Sequence, residues 1–283
     1  MRHLVRAGIV VAGIVAGACS LLLDDDGFTG GSDAPPDAAP EAAPAIDAGI
    51  DSGSDVAVDA PSFALGCDAP ELIAAWTFDE GSGTTAADCT GHLFAAQLKS
   101  DAGWAAGRDG GGGALALDGL SFAEIDNAAA LRFPGPLTVM AWVQVRSLAA
   151  NGRILASSAP NAGDPGVELT FEKGPRPGDN RTNYLSVLSY DGQNGVSADT
   201  SAILPGTWRH VAAVHDGSRL TIYLDGVVED VVDAGTRRVA DEPFYIGRRT
   251  DSLCCFFIGY IDDARVYRRA LPPEEIAALA KLR

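Results

Sequence analysis

The alternation of apolar and polar residues between Pro205 and Val228 predicts two strands and two turns. Even-numbered positions from Trp208 to Val214 fall on one face of the first strand, and the odd-numbered positions between them fall on the other. Asp216-Gly217 supplies a turn, a second alternating strand covers Leu220–Leu224, and Asp225-Gly226 turns the chain again. Because both faces carry apolar residues, we expect the hairpin to lie in a two-layer sandwich.

The same period-two pattern recurs over most of residues 72–272, in segments bounded by turn-forming residues. The further predicted strands are Leu72–Phe78, Ala114–Gly119, Phe122–Ile125, Leu137–Val145, Val167–Phe171, Tyr184–Ser189, Phe244–Gly247 and Gly259–Tyr267. Helical spacing with a Pro start is found at Pro273–Leu282. The pattern therefore predicts one all-β domain over residues 67–283, a normal size for a single domain.

Several segments carry a family resemblance, in the order that the family has them. They are the hairpin W-x-H-V-A … I-Y-x-D-G at 208–226, where the family has L-Y-x-D-G, the opening W-x-F-D-E-G-S-G-T-T-A-A-D-x-x-G at 76–91, the strand T-V-x-A-W-V at 138–143, Y-I-G at 245–247 and the closing strand at 259–267. Together they resemble the laminin G-like, concanavalin A-type jelly roll. The resemblance implies a sandwich of two antiparallel sheets.

Residues 1–18 indicate a secretory signal peptide. Two arginines lie among the first six residues, and an unbroken run of twelve small apolar residues follows from Ala7 to Ala18. At about 1.5 Å per residue, this run is too short to cross a hydrocarbon core of about 30 Å as a helix. Cys19, after Ala-Gly-Ala, resembles the acylated cysteine of a bacterial lipobox. This implies a lipid anchor in the outer membrane or at the cell surface, and free secretion after cleavage nearby is the alternative.

We expect residues 19–66 to form a disordered acidic tether. Between Ser20 and Gly66 there are nine Asp, one Glu and no Lys or Arg. A segment so poor in bulky side chains cannot bury enough area to offset the entropy lost on ordering. The aspartates show neither the period nor the glycine spacing of a calcium-binding repeat. The net charge of −17 argues against nucleic acid as a partner.

Four cysteines follow the tether, and export to an oxidising compartment predicts that all are bonded. The resemblance places the first and last strands side by side. This favours two bonds that join Cys67 and Cys89 separately to Cys254 and Cys255. The alternative is a Cys67–Cys89 bond together with a bond between the adjacent Cys254 and Cys255.

The sequence offers no recognisable catalytic group. Retaining glucanases of this fold carry Glu-x-Asp-x-x-Glu on one strand, because the two carboxylates must face the sugar about 5–5.5 Å apart. Here Glu124 and Asp126 are followed by Ala129, so we interpret them as a strand-end and turn pair. His210, which shares the predicted inward face with Trp208, is expected to be a hydrogen-bonded core histidine.

Asp262 is the candidate metal ligand. Its alternation with Ala264 and Val266 predicts an inward face, where a carboxylate needs a partner. In the glucanases and lectins that the chain resembles, an aspartate matching this position helps to bind a structural calcium near the first strand. The resemblance therefore implies calcium held by Asp262 with Asp79 or Asp88. A hydrogen bond to nearby backbone is the alternative.

The resemblance implies a surface-displayed, non-catalytic module that binds glycans or extracellular proteins through loops at one rim. The candidate loops are 158–166, 173–183 and 191–200. The candidate ligand-binding residues are Tyr184, Tyr190, Arg176 and Arg181, which offer stacking and charged groups. Alternatively, these residues only terminate strands. The rival functions are a glycan hydrolase of the concanavalin-like class and a purely structural envelope protein.

Overall fold

A computed structural model of the chain describes residues 63–126, 128–157, 166–176, 178–190, 195–237, 239, 244–249 and 255–282. The predicted signal peptide, Cys19 and the tether up to residue 62 lie outside the described residues. In the described part of the chain, no helix is long and apolar enough to span a membrane.

The described residues form sixteen strands and two short helices. The strands are β1 Leu72–Trp76, β2 Thr85–Ala86, β3 Ala96–Lys99, β4 Gly103–Ala106, β5 Gly113–Asp118, β6 Phe122–Ile125, β7 Leu137–Val145, β8 Gly152–Ala156, β9 Gly166–Glu172, β10 Tyr184–Tyr190, β11 Gly195–Ala202, β12 Trp208–His215, β13 Arg219–Leu224, β14 Val227–Asp233, β15 Tyr245–Ile246 and β16 Ile258–Tyr267. A 3-10 helix covers Ala128–Leu131, and the helix α1 covers Pro273–Leu279, ending three residues before the predicted boundary.

The strands form two antiparallel sheets, which confirms the predicted all-β jelly-roll sandwich. Sheet A has the order β14-β13-β12-β7-β16-β5-β4. The strand β1 also belongs to sheet A and pairs with the second half of β16, on the side where β5 pairs with its first half. Sheet B has the order β11-β10-β9-β8-β15-β6-β3-β2.

The main core lies between the two sheets. Alternate residues of β7 from Leu137 to Val145 belong to it, as their period predicts, and they meet residues such as Leu169, Leu185 and Ile246 from sheet B. Trp76 has no exposed surface, and its indole Nε1 donates to the Phe94 carbonyl (2.7 Å). This bond satisfies the one polar atom of the side chain.

The predicted face of β12 is wrong. Val211 and Ala213 point into the main core, whereas Ala212 and Val214 belong to a second apolar cluster on the outer face of sheet A. This cluster includes residues of β1 and α1, which bury part of the outer face. His210 lies on the same side as Ala212. Because both faces of β12 are buried, alternation alone could not tell which one faces the other sheet.

Candidate functional site

The predicted ligand-binding tyrosines lie at opposite ends of β10. Tyr184 pairs in register with Glu172, and Tyr190 with Gly166. Consecutive antiparallel strands such as β8, β9 and β10 are connected alternately at their two ends. The 173–183 connection therefore lies at one end of these strands, and the strand ends that flank 158–165 and 191–194 lie at the other. The expectation that the three loops share one rim is therefore wrong. Residues 195–200 belong to β11, and residues 158–165 and 191–194 lie outside the described residues.

Two of the predicted ligand-binding residues, Arg176 and Arg181, hold the 173–183 connection against β11. The Nε of Arg176 lies 2.6 Å from the buried carboxylate of Asp199, and a second nitrogen lies 3.2 Å from Asp179. Arg181 donates to the Thr200 carbonyl (2.6 Å) and pairs with Asp179 (2.9 Å). Both guanidinium groups make contacts within the domain, and a ligand-binding role for them stays a prediction.

The two tyrosines differ in how far they reach solvent. Tyr184 is only 7% exposed, and burial, with a smaller effect from the Asp199 carboxylate, raises the pKa of its phenol to about 12. Tyr190 is half-buried, and a Cβ at Gly195 on the next strand would come within 2.6 Å of its ring. Tyr184 is therefore buried, whereas Tyr190 keeps part of its ring at the surface.

Sequence analysis missed a buried ion network at the centre of the outer face of sheet B. Arg153 is 5% exposed and donates to Glu168 (2.6 Å) and to Glu172 (3.1 Å). Arg249 lies 3.4 Å from the second oxygen of Glu168. Burial raises the pKa of Glu172, while the positive charge of Arg153 opposes this rise. The network balances charges that would be costly to bury alone.

This network does not have the arrangement of the two sugar-facing carboxylates that most glycoside hydrolases use. Glu168 and Glu172 share the outer face of β9, but Arg153 hydrogen-bonds both carboxylates and Glu168 has no exposed surface. A nucleophile and an acid must instead face the sugar. The other pair of carboxylates, Glu124 and Asp126 at the end of β6, also contacts neighbouring side chains. Glu124 lies 3.5 Å from Lys99, and Asp126 accepts a hydrogen bond from Gln97 (2.8 Å).

Beside the network, three aromatic rings and an arginine form a cluster on the same outer face, which we call the aromatic cluster. It consists of Phe122 from β6, Tyr245 from β15, Phe256 before β16, and Arg248. The ring centre of Phe122 lies 5.8 Å from that of Tyr245 and 6.2 Å from that of Phe256. The guanidinium carbon of Arg248 lies 4.6 Å from the ring centres of both Phe122 and Tyr245. All four side chains are half-buried, so parts of the rings face outward.

The predicted inward position of Asp262 is wrong. A β-bulge interrupts the pairing of β16 with β7 between Asp262 and Arg265, and Asp263 has a left-handed φ of 48°. The extra residue shifts the alternation, so Asp262 faces outward opposite Trp142 while Ala264 stays in the main core. Asp262 is nevertheless only 6% exposed, and this burial raises the pKa of its carboxyl group to about 6.

Two of the three predicted calcium ligands share a cleft of about 430 Å³ on the sheet A side. Asp79 and Asp262 line it together with Arg108 and Arg265. Asp88 does not line this cleft. Its carboxylate accepts bonds from the Ala75 amide (3.1 Å) and from the Thr90 hydroxyl (2.8 Å), which fasten the turn after β2 to β1. Among the described residues, no three His, Cys, Asp or Glu side chains are arranged to hold a metal ion.

His210 is buried without the predicted hydrogen bond at Nδ1. The side chain is 2% exposed and lies edge-on to Trp142, with ring centres 5.5 Å apart. Its Nδ1 has no partner among the described residues. Burial, with smaller effects from Arg265 and Arg108, lowers the pKa of His210 to about 3. The imidazole is therefore neutral at ordinary pH.

The disulfide joins Cys67 to Cys89, which excludes the crossed pairing with Cys254 and Cys255. The Cys89 amide donates to the Ala75 carbonyl of β1 (2.9 Å), so both cysteines flank the first strand. The carbonyl of Cys255 instead accepts from the Arg153 amide in sheet B (2.9 Å). Cys254 lies outside the described residues, and a bond between Cys254 and Cys255 stays a prediction.

Comparisons with known proteins agree with the jelly-roll fold of the described residues. The family model Laminin_G_3, described as the concanavalin A-like lectin/glucanases superfamily, matches residues 109–277. No curated protein matches the chain.

Three solved structures illustrate the likeness. Domain 4 of AbnA, a GH43 extracellular arabinanase from Geobacillus stearothermophilus, was solved in complex with arabinotriose. It is 22% identical with a TM-score of 0.58, and the match covers 75% of this chain and 98% of that one. The binding domain of Paraclostridial Mosquitocidal Protein 1 is 16% identical (TM-score 0.55; 74% and 52% covered), and a Trypanosoma rangeli sialidase is 17% identical (TM-score 0.53; 74% and 32% covered). The chain thus spans about half of the toxin domain and a third of the sialidase, and these likenesses show the fold.

Proposed function

The chain belongs to the concanavalin A-like lectin/glucanases superfamily, and we propose that it is a non-catalytic module that binds glycans through the outer face of sheet B. The observation that carries this proposal is the aromatic cluster. A sugar ring presents an apolar face of C–H groups that packs on an aromatic ring, and its hydroxyl groups need polar partners around the edge. Phe122, Tyr245 and Phe256 supply the rings, and Arg248 supplies hydrogen-bond donors beside them.

The side chains on the outer face of sheet B are already held in place, so that ligand binding would need little rearrangement of them. The Nε of Arg248 donates to the Arg249 carbonyl (2.9 Å), and the guanidinium packs between two rings, which fixes its position. The ion network centred on Arg153 lies next to the cluster and is held by several short bonds. Side chains that are already ordered lose less entropy when a ligand binds.

The fold relatives support a ligand-binding module without choosing the ligand. The arabinanase domain was solved with arabinotriose, and the toxin relative is described as a binding domain. A glycan is favoured over an extracellular protein because the aromatic cluster is small and half-buried, whereas a stable protein interface buries about 1,600 Å² in total.

Export and anchoring complete the proposal. Acylation of Cys19 would hold the protein in the outer membrane or at the cell surface, with the acidic segment as a spacer between lipid and module. A self-repelling segment with nine Asp and one Glu suits that use. Release into the medium after ordinary cleavage is the alternative, and it leaves the binding proposal unchanged.

A glycan array, run with and without calcium, tests the binding proposal. Tyr245→Ala should weaken binding about 5- to 30-fold, since removal of a central aromatic contact typically costs about 1–2 kcal/mol. Tyr260→Ala is the matched control, because Tyr260 is also half-buried and stacked by an arginine, Arg146 (5.2 Å), but lies in sheet A. It should change binding less than twofold.

Three results would contradict the proposal. Binding of no glycan would favour a structural or protein-binding role, and equal losses in both variants would remove the site from sheet B. Release of reducing sugar from a bound glycan, abolished in Glu172→Gln, would identify a hydrolase.

A further inference from the structure

The family resemblance implies a structural calcium at Asp262, but the described side chains do not fit one. Calcium takes about six to eight oxygen ligands. Asp88 is engaged elsewhere, and one oxygen of Asp79 accepts the Gly113 amide (2.8 Å). An arginine already lies on Asp262, and a cation placed beside it would be repelled.

That arginine, Arg108, comes from the glycine-rich connection between β4 and β5. Its Nη1 lies 3.2 Å from the Asp262 carboxylate, which also accepts the Arg108 backbone amide (3.3 Å). Its Nη2 donates to the Leu282 carbonyl after α1 (2.9 Å), and the guanidinium lies 5.0 Å from the ring centre of Trp142. One side chain thus joins the β4–β5 connection, β16 and the segment after α1.

The backbone of this connection also lies close against each of the two carboxylates. The Gly107 amide donates to the Gly112 carbonyl (3.0 Å), which closes the turn that carries Arg108. A Cβ at Gly112 would come within 2.3 Å of Asp79, and one at Gly107 within 3.2 Å of Asp262. Only glycine lets the backbone approach both groups so closely.

We infer that Arg108 does in this protein what the resemblance assigns to calcium, so that the domain folds without metal and is held at this point by a guanidinium. A planar guanidinium can donate to a carboxylate and a carbonyl at once while its face packs on an aromatic ring, and Arg108 makes all three contacts. The positive charge balances Asp262 as the ion would.

Thermal unfolding of the purified full chain tests this inference. The melting temperature of the wild type should be the same, within about 1 °C, in EDTA and in millimolar calcium. Arg108→Met keeps the unbranched aliphatic part of the side chain but removes the guanidinium, and it should lower the melting temperature by about 6–20 °C, as expected when one partner of a largely buried ion pair is lost. Arg146→Met, which removes an exposed arginine stacked on Tyr260 of the same sheet face, is the control and should change it by less than about 2 °C.

Two further variants identify the contact that matters. Arg108→Met combined with Asp262→Asn should melt no lower than Arg108→Met alone, because the carboxylate that the single variant leaves unpaired is then replaced by a neutral amide. Should Arg108→Met not fold, Arg108→Lys keeps the charge and should melt below the wild type with no response to EDTA.

The inference is overturned by any of three observations. The first is a fall in the wild-type melting temperature in EDTA that calcium reverses. The second is about one calcium ion per chain by elemental analysis of the purified protein. The third is that the Arg108 variants melt at the same temperature as Arg146→Met.

Discussion

His210 should make the stability of the domain fall as the pH is lowered, and the size of the effect follows from its surroundings. The pKa of His210 is about 3 in the folded domain, against an ordinary value of 6.5. Between these values the unfolded chain binds the proton and the folded one does not. The contribution to stability is therefore complete above pH 6.5 and is lost progressively as the pH falls towards 3.

The magnitude can be worked out from the two pKa values. Each unit between the ambient pH and 6.5 costs about 1.4 kcal/mol once the unfolded histidine is charged, so the loss at pH 5 is about 2 kcal/mol. For a domain of this size, that corresponds to about 4–8 °C in melting temperature. His210→Phe removes the titrating group from a buried site whose Nδ1 has no hydrogen bond to lose.

Urea unfolding of the wild type and of His210→Phe at pH 7.5 and pH 5.0 measures the difference. The wild type should lose about 2 kcal/mol more than the variant between the two pH values. Other shifted groups, such as Asp262, are present in both proteins, so their contributions largely cancel. Equal losses in the two proteins would show that His210 is reached by water or finds a partner when charged, and would refute the reasoning.

Three predictions concern the cysteines. Replacing Cys67 and Cys89 by Ser should lower the free energy of unfolding by about 3 kcal/mol, because it removes a crosslink between residues 22 apart; an unchanged midpoint of urea unfolding would contradict this. Thiol titration of the unfolded, unreduced wild type should find Cys254 and Cys255 blocked, and two free thiols would be the contrary result. Cys19→Ala should move the protein from the membrane fraction to the soluble one, and unchanged fractionation would reject the lipid anchor.

The fold could be predicted because each strand carries its own signal. In β7, five alternating apolar residues within nine positions specify one buried face, and the structure buries all of them. The orientation of Asp262 could not be predicted in the same way. A single extra residue at Asp263 reverses the alternation along β16, and the left-handed backbone that permits it leaves no mark in a period-two pattern.

The candidate site was predicted less well, because its parts come together only through long-range pairing. Phe122 and Tyr245 are far apart in sequence and meet because β6 pairs with β15. Arg176 and Arg181 are charged and lie near strand ends, which favours ligand binding in the sequence, but the same position lets them bind Asp199 and Thr200. The sequence shows which residues can donate hydrogen bonds, and the fold decides which acceptors they reach.

The attachment of the segment before β1 has a mechanical consequence. The Leu65 carbonyl accepts a bond from Arg265 (2.5 Å), and Cys67, two residues later, is linked to Cys89 beside β1. If the module hangs from acylated Cys19 while a ligand pulls on sheet B, tension that reaches Leu65 along the chain meets these two attachments before it reaches β1. It is then shared between a covalent crosslink and the strand β16, which pairs with β1, β5 and β7. Pulling therefore loads the centre of sheet A instead of peeling β1 away from its end.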